Sequence, residues 1–192
     1  MTLLIIGLLL FLGIHSVRIT ADGWRSRFIA QRGEGAWKGL YTVLSLIGFA
    51  LIIWGYALAR AQPMALWAPM AWAKPLAVVL MWLAFVLLAG AYIPRNLFKS
   101  KLHHPMVLSV KVWALAHLLA NHTMADLLLF GGFLVWAALS FRAARGRDRA
   151  GQVVYPTGRM GPTLVTVAVG TLVWAVFAFR LHAVLMGVDP LS

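Results

Sequence analysis

The chain has 192 residues, of which 62% are hydrophobic and only 11% charged, whereas a soluble domain is about one quarter charged and less than half apolar. That balance excludes an ordinary water-soluble domain and implies that lipid covers most of the surface. The absence of cysteine excludes disulfides, thiolate metal sites and cysteine nucleophiles. The net charge of +12 would suggest nucleic acid on a soluble protein, so its placement along the chain decides its meaning.

Six apolar segments follow one another, at about 2–20, 38–60, 73–93, 104–121, 124–142 and 161–185. Each is near the ~20 residues that a helix needs to cross the hydrocarbon core. Continuous apolar runs without dyad alternation exclude barrel strands. The expected fold is an all-α integral membrane protein, a bundle of about six transmembrane helices forming a single domain over residues 1–192. The first segment lacks a basic leader and a small-x-small cleavage site, so it reads as a retained helix.

Basic residues assign the sides. The first connection carries Arg18, Arg25, Arg27, Arg32 and Lys38, the third Arg95, Lys99 and Lys101, and the fifth Arg142, Arg145, Arg147, Arg149 and Arg159. The second has only Arg60 and Lys74, and the fourth has none. Under the positive-inside rule both termini are expected on the non-cytoplasmic side, and loops one, three and five face the cytoplasm. The charge is therefore topological and directed at anionic lipid rather than at nucleic acid.

Taken in chain order, the first segment carries His15 in LFLGIHSVRI, about one turn before Arg18, with Gly13 leaving room for a flat ligand or a neighbouring helix. WRSRFIAQRGEGAWKG alternates basic and apolar residues and reads as a short interfacial helix broken at Gly33 and Gly35. Trp24, Trp37, Trp67, Trp72 and Tyr155 sit near predicted boundaries, where amphipathic rings anchor. Pro63 and Pro69 break the second loop.

The fourth segment, HHPMVLSVKVWALAHLL, has the densest set of ionisable groups. His103 and His104 precede Pro105, a favoured first helical residue. At about 100° per residue, His104 and Lys111 share one line, and His117 points about 140° away from it. Lys111 can snorkel to the inner mouth or meet an anionic group on a ligand. His117 lies ~20 Å further along the helix than His104, among leucine and alanine, so any opposing group must come from another helix. Asp126 is placed to cap the fifth segment or to pair with His122. Arg180 and His182 are placed to snorkel from the sixth.

Imidazoles without thiolates suit haem, zinc, copper or iron. No H-E-x-x-H, nucleotide loop or nucleophile elbow is present, and the three histidines plus carboxylate of a hydrolytic zinc site do not cluster in the sequence. Two histidines on separate apolar helices are compatible with a bis-histidyl membrane haem.

FLGIHSVRI, GEGAWKGLYTVLSLIGF and HHPMVLSVKVWALAHLLAN resemble the NnrU family of bacterial membrane proteins over nearly the whole chain. That family is related to the zeta-carotene isomerases of plants, which share an HS element, here His15-Ser16, and an R-H-P element followed thirteen residues later by A-H. Those positions are His103-His104-Pro105 and Ala116-His117. The resemblance implies haem b held by His15 and His117 as axial ligands of the iron, with His104 and Lys111 as secondary contacts. It also implies a link to nitrite and nitric oxide metabolism, through electrons or a diatomic ligand exchanged with a membrane redox partner. Redox-dependent cis–trans isomerisation of a carotenoid-like polyene, an apolar substrate, is the alternative, although Ala114 stands where the isomerases have cysteine and removes a thiolate–histidine switch. A methyltransferase of the isoprenylcysteine type is disfavoured by the missing arginine before His104. A non-enzymatic accessory role stays open.

Overall fold

The computed structural model describes residues 1–191, and every extended element among them is a helix. The helices are α1 (Thr2–Thr20), α2 (Asp22–Ala61), α3 (Ala73–Tyr92), α4 (Leu97–Leu102), α5 (Pro105–Ala120), α6 (Met124–Ala150) and α7 (Met160–Val176). A π turn at Phe177–Leu181 leads from α7 into α8 (His182–Met186), so one helical run reaches Met186. Five helices are long and apolar enough to cross a membrane, and α5, with 16 residues, is shorter than that. The protein is therefore a multi-pass membrane protein with five helices of spanning length, and the segment expected at 104–121 is the shorter α5.

The expected interfacial helix is the beginning of α2. Gly33, at φ 83° and ψ 158°, takes a backbone conformation that side-chain-bearing residues resist and kinks the helix there. Gly35, expected to share the break, stays helical. The segment before the kink covers Trp37, which is only 6% exposed, with its ring about 6.0 Å from those of Trp24 and Phe28. The Arg25 guanidinium lies 5.6 Å from the centre of the Trp37 ring.

The chain forms two compact units, 1–68 with 122–140, and 69–121 with 141–191. In the first, α1 lies against α2 along glycines. A methyl group on Gly55 would sit 2.7 Å from Leu3 C and Leu4 Cα, one on Gly7 2.7 Å from Ile52 N, and one on Gly48 2.8 Å from Phe11 N. The pairs Leu4–Gly55, Gly7–Ile52 and Phe11–Gly48 run in opposite sequence directions, so the two helices are antiparallel. Backbones this close gain dispersion contacts, which matter most where lipid removes the hydrophobic drive between helices. The start of α6 completes this unit, with Gly132 facing Leu12 and Phe133 facing Phe11. It runs parallel to α1.

In the second unit α3 packs on α5 and α7. Gly170 faces the Val86 backbone, where a methyl would lie 2.6 Å from Val86 Cα, and Trp82 Nε1 donates to Thr171 Oγ1 at 2.9 Å. The turn after α3 is organised by Asn96, which is fully buried. Its amide donates to Gly90 O at 2.9 Å and Ile93 O at 2.5 Å, and its oxygen caps α4 by accepting from Lys99 N at 2.8 Å. Arg159 N donates to Arg95 O at 2.7 Å, and Leu97 N to Thr163 Oγ1 at 3.0 Å, which fastens the segment before α7 to this turn.

The glycine contacts predict that Gly55→Ala lowers stability by about 1–3 kcal/mol through overpacking against an immovable backbone. Gly13 has open space around it, so Gly13→Ala is expected to be neutral or stabilising by up to about 1 kcal/mol. Thermal unfolding in detergent of the two variants beside wild type checks this ordering. Asn96→Ala leaves two carbonyls and the Lys99 amide without their partner and is expected to cost about 1–3 kcal/mol, read as a fall in Tm.

Candidate functional site

His15 is a half-buried residue in the first unit. Its Nδ1 lies 2.6 Å from Phe11 O, one turn back on α1. A carbonyl can only accept, so Nδ1 carries the proton and the lone pair is on Nε2. Aromatic rings surround it: Phe11 is stacked at 4.1 Å, Tyr41 lies at 4.9 Å and Trp136 is edge-on at 6.0 Å. Trp136 Nε1 is buried without a hydrogen-bond partner among the described residues, a costly state for a donor. Gly13 is exposed, and the close helix approach is made at Gly7, Gly48 and Gly55 instead.

His117 belongs to the second unit and repeats the same local arrangement. Its Nδ1 lies 2.9 Å from Trp113 O on α5, which again puts the proton on Nδ1 and the lone pair on Nε2. Trp113 lies 5.2 Å away, and the His117 carbonyl accepts from Asn121 N and from its side chain, each at 2.9 Å. A histidine whose second nitrogen is held by a backbone carbonyl is oriented as metal-ligating histidines are.

His104 differs in chemistry. It occupies the N-cap of α5, and its Nε2 lies 2.8 Å from Asp148 Oδ2, so that nitrogen is committed to a carboxylate. His103 ends α4 rather than sharing the helix of His117, and it adopts φ 72°, a strained conformation for a residue with a side chain. Its ring lies 4.1 Å from that of Tyr155, and its Nδ1 is 3.7 Å from Asp148 Oδ2. Tyr155 donates its hydroxyl to the same oxygen at 3.1 Å. Burial and that hydrogen bond push the Tyr155 phenol above its ordinary value. Lys111 is exposed on α5 and has no hydrogen-bond or ion-pair partner among the described residues.

Asp126 is structural. It accepts from Thr123 N at 3.0 Å and Thr123 Oγ1 at 2.6 Å, and Thr123 Oγ1 accepts from Asp126 N at 3.3 Å, a reciprocal cap at the start of α6. Of the two roles expected, the cap is the one observed; Tyr56 donates to the other oxygen at 2.5 Å, so the distant partner is a tyrosine seventy residues away rather than His122. His182 Nδ1 donates to Val188 O at 2.7 Å near the end of the chain.

The aromatic cage of His15 and the Asp148–Tyr155 pair were missed in the sequence, where Tyr155 reads as an interface anchor. Among the described residues no group of three or more His, Asp or Glu is arranged to hold a metal ion. His15 and His117 thus each present an imidazole oriented by a carbonyl of its own helix. No curated protein and no solved structure matches the chain. The family model described as NnrU protein matches residues 3–190, nearly the whole length, and the chain belongs to the NnrU family.

Proposed function

We propose that this protein binds haem b in a bacterial inner membrane, with His15 and His117 as axial ligands, and serves nitrite or nitric oxide metabolism through electron or diatomic-ligand handling with a membrane redox partner. The observation that carries the reading is the shared tautomer: both intramembrane histidines direct Nδ1–H to a carbonyl of their own helix, leaving Nε2 as the basic nitrogen. Neutral imidazole Nε2 is the donor that haem iron takes. The rings around His15 suit a flat aromatic macrocycle, and an acceptor on a bound ligand would relieve the orphaned Trp136 Nε1. His104, whose Nε2 is engaged by Asp148, is the poorer ligand and acts at a distance from the iron. Bound haem would supply a one-electron couple, and the imidazoles of His15 and His117 that would hold it, with their carbonyl partners, would tune its potential.

Absorption spectra of the detergent-purified protein, oxidised and dithionite-reduced, test this directly. The wild type is expected to show a Soret band and sharpened reduced bands. His15→Ala and His117→Ala are each expected to shift or abolish them, and His104→Ala to leave them in place. A folded but colourless protein from haem-replete cells would overturn the reading.

The same proposal places six crossings in the membrane, with α5 as the short return. In the first unit α1 and the start of α6 run in the same direction, opposite to α2. The end of α2 also meets the start of α6, through Leu66 N to His122 O at 2.8 Å and Met124 N to Met64 O at 2.9 Å. On this reading the chain between them leaves and returns on one side by an even number of crossings, with α5 as the counterpart of α3. The native chain has no cysteine, so single-cysteine variants report sidedness cleanly. An impermeant maleimide added from outside is expected to label Ala68→Cys and His122→Cys alike and to spare Lys101→Cys. Opposite labelling of the first two would exclude the six-crossing topology.

A further inference from the structure

The second unit holds a cavity that the histidines do not use. It has a volume of about 210 Å³ and is lined by Arg95, Asn96, Lys99 and Ser100 on one side and by Tyr155 and Pro156 on the other. Its two walls are tied together by the Arg159 N to Arg95 O bond and by the close approach of Gly158 to Leu97, where a methyl would lie 2.8 Å from Leu97 Cα. The fully buried Asn96 beneath it has its amide and its oxygen engaged in the turn, so the wall is preformed.

The electrostatics of this cavity are one-sided. Across the segments 94–104 and 141–160 there are eight Lys and Arg residues and one carboxylate, Asp148. That carboxylate accepts from His104 at 2.8 Å and from Tyr155 at 3.1 Å and is 15% exposed, so its charge is already engaged. Among the described residues neither Arg95 nor Lys99 has a carboxylate within ion-pair distance. The Lys99 ammonium donates one bond, to Ala91 O at 3.0 Å, which anchors it at the end of α3 and leaves two of its three protons to offer. The cavity begins two residues after Tyr92, the last residue of α3. A helix that has just crossed the hydrocarbon emerges at the depth of lipid headgroups.

We propose that this cavity binds a phosphate group, with Arg95 and Lys99 as charged donors and the Ser100 hydroxyl as a third. A planar guanidinium and a compact ammonium lining one cavity match the oxygens of a phosphate better than a diffuse charged surface does. The phosphate belongs either to an anionic phospholipid or to a soluble phosphate ester. The volume is ample for a tetrahedral oxyanion with a small substituent, since a water needs only ~10–15 Å³ by the same measure.

The test uses the full chain in phosphatidylcholine nanodiscs with and without phosphatidylglycerol, with lipid retention read by native mass spectrometry. In parallel, glycerol 3-phosphate and inorganic phosphate are titrated against the phosphatidylcholine sample, and the shift in Tm reports binding by mass action. Retention of phosphatidylglycerol alone identifies the lipid as the source, and stabilisation by the soluble esters identifies the other. In either case Arg95→Gln and Lys99→Gln are each expected to weaken binding about tenfold, with Arg95→Lys recovering part of it. Lys101→Gln, which removes the same charge outside the cavity, is expected to bind as wild type. Equal losses in all three glutamine variants would reduce the site to general surface charge, and binding of neither probe by the folded wild type would overturn the proposal. An unchanged wild-type Tm without ligand checks that each variant is folded.

Discussion

Hydrocarbon offers no partner for a peptide N–H or C=O, and the rest of this structure follows from that. Each apolar run must satisfy its backbone internally, so helices form wherever the chain is greasy. The places where the backbone departs from a helix are at the ends of the spans or in polar segments. The turn around Asn96 is one such place, and there a buried side chain replaces the hydrogen bonds that the helix no longer supplies. The reciprocal cap between Thr123 and Asp126 is another.

With the backbone satisfied, what remains is to choose neighbours. Lipid tails are as apolar as leucine, so helices are selected by closeness rather than by water exclusion. Gly7, Gly48 and Gly55 set α1 on α2, and Gly170 sets α7 on α3. Polar pairs then fix register: Tyr56 to Asp126 in one unit, Trp82 to Thr171 in the other. The histidines fit the same economy of backbone groups, because His15 and His117 each satisfy Nδ1 on a carbonyl of their own helix.

Much of the helix placement was legible in the sequence, because an apolar run of about 20 residues has few alternatives in a membrane. The boundaries of α1 and α3 follow directly from their runs. The extension of α2 back to Asp22 does not, since the interfacial segment runs into the spanning helix with only a kink at Gly33 between them. Gly35 illustrates why: a glycine permits a kink but does not require one. The local chemistry of His15 and His117 was within reach, as each partner is the carbonyl four residues back. Asp148 was not. Its partners His104 and Tyr155 lie on other segments of the chain, and no periodicity in an arginine-rich stretch marks one acid as paired. Tyr56 and Asp126 are farther apart still, and only the packing of α6 on α2 brings them together.

The first compact unit is discontinuous in sequence, made of residues 1–68 and 122–140. This sets an order of assembly. A chain made from its N-terminus can close the α1–α2 hairpin early, since glycines and their opposing backbones are near in sequence and loop closure is cheap. Tyr56 then waits in the bilayer without its acid, and His15 without Trp136, until more than fifty further residues have been inserted. The polar face of the hairpin is thus open for a defined interval of synthesis and is covered only when α6 arrives. Any group destined to sit beside His15 has that interval in which to enter sideways, before the last wall is built.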